Sequence, residues 1–179
     1  MIPTAFSRRA FLKCLGTACA TAPFVTRDLI AKPPSSILRH ASFGASGMAW
    51  SDINQLARSR QLELVAVAEV DLNRTGELRK RFPSARVYQD WRRLLDKEGK
   101  RLDSVNVSTP DHMHAPIAVT AMQMGKHVYG QKPLAHDLYE VRQMTTLARQ
   151  NKVVTQMGIQ IHSSNHYKLG VLLIQAGAI

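Results

Sequence analysis

The sequence predicts a doubly wound, mostly parallel α/β sheet. Three observations point there. Strand-like runs alternate with helix-length segments from residue 37 onward, which implies right-handed crossovers between parallel strands. The runs are short and nearly continuously apolar, as strands are when helices cover both faces. A glycine-bearing turn, FGASGMA (43–49), stands between the first run and the first helical pattern, where sheets of this class place ligand-facing loops.

The elements follow in order. Strands are expected at ILRHASF (37–43), LELVAVAEV (62–70), ARVY (85–88), DSVNVST (103–109), KHVYGQ (126–131) and KVVTQM (152–157). Their β-branched and apolar content favours extended chain. Helices are expected over 48–60, 73–82, 90–98, 114–125 and 138–150. In the last, Leu138, Val141, Met144 or Thr145, and Ala148 recur at helical spacing. A methionine in such a stripe fills core space rather than marking a cofactor box.

At 179 residues and 45% apolar, the chain has room for one domain with a real core. The formal charge of +11 raises the question of nucleic acid. Part of it is local: Arg8, Arg9, Lys13, Arg27 and Lys32 precede residue 33, against Asp28 alone. The other basic clusters lack interleaved aromatics and any nucleic-acid motif, so a solvated basic surface is expected and no nucleic-acid partner. Residues 1–32 read as a leader. SRRAFLK (7–13) resembles the twin-arginine export signal, and the apolar stretch after it is too short to span a bilayer. A basic amphipathic helix is the alternative. Export to the periplasm is therefore expected, with no membrane span in the mature chain. Both cysteines, Cys14 and Cys19, lie in the leader, so no disulfide, thiol chemistry or cysteine-bound metal is expected after it. The linker is placed at 33–36 and the folded domain at 37–179.

In such a sheet ligands sit at the carboxyl ends of the strands, so the residues just past each strand carry the functional signal. After the first strand comes Gly44-Ala45-Ser46-Gly47-Met48-Ala49. In a dinucleotide loop the first glycine permits the turn, the second admits the pyrophosphate and the third position allows close helix packing. Gly44 and Ala49 fit. Ser46 replaces the central glycine, its hydroxyl is able to donate to phosphate, and Gly47 adds freedom beside it. By itself the loop also fits an ordinary turn. Glu69 lies 25 residues beyond Gly44, where an acid accepts from adenosine ribose hydroxyls and disfavours an extra 2′-phosphate. NAD is favoured, and Arg74 keeps NADP open. An acid that merely caps the next helix suits Asp71 better than Glu69.

After the fourth and fifth strands come STPDHMHAP (108–116) and GQKPLAHD (130–137). The continuous stretch TPDHMHAPIAVTAMQMGKHVYGQKPLA resembles the Gfo/Idh/MocA oxidoreductase family, over about residues 37 to 179. The usual family signature Glu-Lys-Pro is here Gln131-Lys132-Pro133, a variant associated with exported members. The resemblance implies a Rossmann-like NAD(P)-binding domain in which FGASGMA is the cofactor loop. It implies hydride transfer between NAD, or NADP, and a sugar, cyclitol or related polyol.

Residue by residue, the resemblance makes Lys132 the catalytic lysine, holding a substrate hydroxyl and the nicotinamide ribose, with burial suiting it to proton transfer. Thr109 and Pro110 border the cofactor, and His114 holds that loop. His112 and His114 lack the carboxylate or cysteine company of a metal site. Gln131 and Gln160 join Gly44, Ser46, Gly47, Met48 and Glu69 as cofactor residues. Gln160 and His162 line the nicotinamide end, with His162 and Lys132 toward substrate. Ile159 stands where related sequences carry asparagine. The resemblance also implies a second domain after the helix ending near LIQAGAI, bearing most of the substrate pocket, an Asp-x-x-x-His pair and the oligomer interface. Without it the chain is expected to be inactive, with an apolar patch left exposed. The alternatives are a non-catalytic nucleotide-binding remnant and an NAD-dependent glycosidase of the same family.

Overall fold

The computed structural model describes residues 37–178. The leader and linker expectations lie outside the described residues. The chain runs β1 (Leu38–Phe43), α1 (Met48–Leu56), β2 (Leu62–Ala68), α2 (Gly76–Arg81), β3 (Arg86–Tyr88), α3 (Trp91–Glu98), β4 (Ser104–Val107), α4 (His114–Gln123), β5 (His127–Gln131), α5 (Leu138–Gln150), β6 (Thr155–Gly158) and α6 (Asn165–Gln175). The six strands form one sheet in the order β3-β2-β1-β4-β5-β6. Every neighbouring pair is parallel. The order reverses between β1 and β4, which makes their carboxyl ends the crevice where ligands bind in open α/β sheets.

Two apolar clusters hold the sheet to its helices. The larger joins Phe43, Val105 and Val107 to Leu94 of α3, Ile117 of α4 and Met144 of α5. The smaller joins Leu64 and Val67 to Ile53 of α1 and Leu78 of α2. Leu64 and Val67 share a cluster although strict alternation would put them on opposite faces. The register against β1 slips between them, from His40↔Leu64 to Ala41↔Ala66, and the extra residue resets the alternation. Met144 is 4% exposed and fills core, as its helical spacing predicts. Leu138 does not share that stripe. Asp137 caps α5 by accepting from the Glu140 N–H, so Leu138 is the first helical residue and lies 74% exposed, while Leu147 packs on the core.

Element edges depart from expectation where local hydrogen bonds intervene. The helix expected over 48–60 ends at Leu56. The helix expected over 73–82 begins as a 3-10 turn, Leu72–Thr75, and becomes α-helical only at Gly76. Asp71 caps that turn by accepting from the Asn73 N–H, the role expected of it. The last strand starts at Thr155 rather than 152, because Lys152 takes a left-handed φ of 53° and turns the chain. Nor are both sheet faces fully covered. On the edge strand β6, Thr155 and Gln156 are exposed. A groove of about 690 Å³ opens beside α1, lined among others by Asp52, Tyr129, Gln156 and Gln160.

Candidate nucleotide site at the strand ends

The site begins where β1 stops. Gly44 has φ +102°, a conformation that strains any residue with a side chain. A Cβ there would lie 2.7 Å from the Ser108 carbonyl oxygen and 2.8 Å from the Ala49 Cβ. Glycine at 44 and alanine at 49 thus let the turn pass between β4 and α1. The Gly44 N–H donates to Ala68 O at 2.8 Å, and the Ser108 N–H donates to Phe43 O at 2.9 Å. The turn is stitched to both neighbouring strands. Ser46 is half-buried, whereas Gly47 and Met48 are exposed. Gly47 has φ +59°, nothing lies within 4 Å of its missing Cβ, and no side chain caps α1. The first N–H groups of α1 are thereby left for an anion.

Glu69 is 8% exposed and both of its carboxylate oxygens accept backbone N–H groups. Oε2 takes Ala45 at 3.0 Å and Oε1 takes Asp71 at 3.2 Å. The side chain therefore braces the glycine turn against the end of β2, and lone pairs remain for a further donor. Arg74 is exposed nearby in sequence.

At the end of β4, Thr109 Oγ1 is buried and has no hydrogen-bond partner. Pro110 is exposed. His114 is 2% exposed and its ring bridges two carbonyl oxygens, Nε2 to Thr109 O at 2.8 Å and Nδ1 to Pro133 O at 2.5 Å. It clasps the loops after β4 and β5. Lys132 follows the last residue of β5 and is exposed. The burial expected around it is not supplied by the described residues. The Lys132–Pro133 peptide is cis. Gln160 is exposed, and its Nε2 contacts Met48 Sδ at 3.7 Å, joining the end of β6 to the start of α1. Ile159 is half-buried and lines the groove. His162 is exposed and stacks on Tyr167 of α6, with centroids 4.8 Å apart; no hydrogen bond among the described residues ties its side chain to the strand ends.

Beneath this rim runs a buried polar chain that sequence reasoning missed. The Ser104 hydroxyl meets His40 Nδ1 at 2.8 Å, and His40 Nε2 meets Asn106 Oδ1 at 3.0 Å. Asn106 Nδ2 donates to Ser108 Oγ at 3.0 Å, and the Ser108 hydroxyl donates to Asp52 Oδ2 at 2.7 Å. Gln131 Nε2 donates to both Asp52 oxygens, at 2.9 and 3.1 Å. His40 is 2% exposed, and burial lowers its pKa to about 4 against the smaller opposing effect of the Asn106 contact. Burial pushes the Tyr129 hydroxyl above its ordinary range, and the Asp52 charge adds to that. The one signal in the sequence was alternation: Ser104, Asn106 and Ser108 occur at every second position, the period of a strand face.

The residues present fit a dinucleotide. A left-handed glycine admits close backbone approach, α1 offers uncapped N–H groups, and Thr109 Oγ1 awaits a partner. Among the described residues no group of three His, Cys, Asp or Glu side chains converges as a metal site.

A parallel sheet with such a turn at its switch point defines a nucleotide-binding α/β protein of the Rossmann class. Residues 38–159 match the Gfo/Idh/MocA family, described as an oxidoreductase family with an NAD-binding Rossmann fold, and the chain belongs to that family. It is 29% identical over 113 residues to levoglucosan dehydrogenase of Pseudarthrobacter phenanthrenivorans, a match covering 63% of this chain and 28% of that protein. It is 27% identical over 175 residues to alpha-N-acetylgalactosaminidase of Shewanella oneidensis, covering 81% of this chain and 37% of the relative. Among solved structures, myo-inositol 2-dehydrogenase of Lactobacillus plantarum superposes with a TM-score of 0.70 at 22% identity, over 80% of this chain and 42% of that one. The chain thus spans roughly a third of the curated relatives' length.

Proposed function

We propose that this chain is the nucleotide-binding part of an NAD(P)-dependent oxidoreductase acting on a sugar, cyclitol or related polyol. The observation that carries the proposal is the Gly44 turn. It lies at the switch point, left-handed, packed on Ser108 and Ala49, and opens an uncapped helix. The bound nicotinamide would supply the hydride acceptor. Of the chain's own residues, the α1 N-terminus and Ser46 would hold the phosphates, Glu69 would accept from the adenosine ribose, and Thr109 Oγ1 would gain a partner. Lys132, at the exposed end of β5, holds a substrate hydroxyl and exchanges its proton. A carboxylate at 69 favours NAD over NADP. Substrate chemistry is supported by the dehydrogenase relatives, levoglucosan dehydrogenase among them.

A glycosidase of the same family is the second reading, favoured by the match to alpha-N-acetylgalactosaminidase over 81% of the chain. We also propose export, on the SRRAFLK leader, which would carry the folded domain with its cofactor. The first experiment is titration of the chain with NADH and NADPH, followed by protein and nicotinamide fluorescence. Saturable binding that favours NADH is expected. No binding up to millimolar nucleotide would overturn the reading. With a protein able to turn over, sugar released without net NADH would select the glycosidase.

A further inference from the structure

We propose that Asp52 positions the Lys132 loop by way of Gln131, and that this carboxylate requires glutamine rather than glutamate at position 131. The inference rests on Lys132 being the substrate-facing lysine of the proposed function. Asp52 lies on α1, the helix opened by the Gly44 turn, and is 6% exposed. None of the ion pairs among the described residues involves it. Its contacts are hydrogen bonds from uncharged donors, from the Ser108 hydroxyl and from the Gln131 amide to both carboxylate oxygens. Gln131 is 4% exposed and its other end is also engaged, since Oε1 accepts the Lys132 N–H at 3.2 Å. That bond sits where the chain leaves β5. The amide is therefore oriented at both ends, nitrogen to Asp52 and oxygen to the Lys132 backbone. One side chain couples the helix facing the phosphates to the loop carrying the lysine.

Glutamate at 131 has the same length but, when ionised, no donor. It would place a carboxylate oxygen about 3 Å from Asp52, where two like charges in a buried site cannot both remain ionised. A buried charge that loses its donor is also costly to leave unpaired. Exchanging the partners, Asp52→Asn together with Gln131→Glu, removes the conflict. The amide introduced at position 52 would donate to the carboxylate introduced at position 131. That carboxylate would still accept from the Lys132 N–H, and Ser108 would donate to the carbonyl oxygen of the new amide.

The test compares the native chain with Gln131→Glu, Asp52→Asn and the double variant. Three readouts are taken at pH 8: NADH affinity, thermal midpoint, and the NMR resonance of ¹³C-dimethylated Lys132, assigned through Lys132→Arg. Gln131→Glu is expected to weaken NADH binding at least tenfold and to displace the Lys132 resonance. The double variant is expected to return both, to within threefold of native affinity and to the native resonance position. Three outcomes would overturn the proposal. Gln131→Glu could behave like the native chain, the double variant could be no better than Gln131→Glu, or the thermal midpoint alone could respond. If the native chain binds no NADH, the nucleotide reading fails, while the Lys132 resonance and its rescue still decide the positioning role.

Discussion

His40 shows how one buried side chain sets a pH limit for the fold. Its ring is neutral in the folded chain, with a pKa lowered by burial to about 4 from an ordinary 6.5. The unfolded chain binds that proton from pH 6.5 downward, and the folded chain only near 4. Stability therefore rises with pH across that window and is lost on acidification. Lowering the pH from about 7 to about 4.5 is expected to cost about 2 kcal/mol through His40. His40→Gln should flatten that slope in urea unfolding series. Glu98 acts in the same direction at lower pH. Its burial opposes ionisation, but Tyr88, Arg101 and Arg86 outweigh this and hold it below its ordinary 4.5. Stability from that carboxylate is present above 4.5 and falls away below it. At Thr109 one substitution should have opposite effects on the free and bound chain. Its Oγ1 is buried without a partner, so Thr109→Val should leave the free chain as stable or stabilise it. The same change should weaken NADH binding roughly fivefold, about 1 kcal/mol, as measured by thermal shift and fluorescence titration.

The βα turn after β1 is the most tightly constrained element. Gly44 is fixed by two demands at once, a left-handed backbone and the 2.7 Å approach of the Ser108 carbonyl. Gly44→Ala is expected to cost on the order of 3 kcal/mol and to abolish nucleotide binding. Gly47→Ala meets only the first demand, since nothing lies within 4 Å of its Cβ. Its stability loss should be smaller, about 1 kcal/mol. Comparing urea midpoints of the two variants separates conformational strain from collision. The glycine at 44 was legible from its place after an apolar run. Glu69 was legible by spacing, but its brace onto Ala45 and Asp71 was not, because two separate loops must meet before those N–H groups face it.

Across the whole molecule the last helix stands apart. In α6, Leu169 is 55%, Leu172 61% and Ile174 64% exposed, and no residue of the helix is buried. Apolar side chains exposed around a helix in this way favour association and dye binding. The chain should bind an environment-sensitive apolar dye and self-associate with rising concentration. Leu172→Glu with Ile174→Glu should reduce both, read by fluorescence and sedimentation. The groove beside α1 is a second uncovered region. The sequence implied strands covered on both faces, yet β6 is an edge strand whose Thr155 and Gln156 meet solvent.

The class of fold and the edge of the sheet that matters were both readable without coordinates. Alternating periods of two and 3.6 dictate parallel strands joined by helices, and parallel strands place every following loop at one edge. Gly44, Thr109 and Lys132 could be assigned to that edge from their order in the chain. Which side chains meet beneath it was settled by folding in three dimensions. His40 and Ser104 become partners because β1 lies in register against β4, 64 residues away. Asp52 and Gln131 become partners across 79 residues because α1 packs against β4, the strand beside β5. Sequence periodicity reports which face a side chain takes, whereas strand order and helix placement fix its neighbour. A buried polar group is satisfied only by that neighbour.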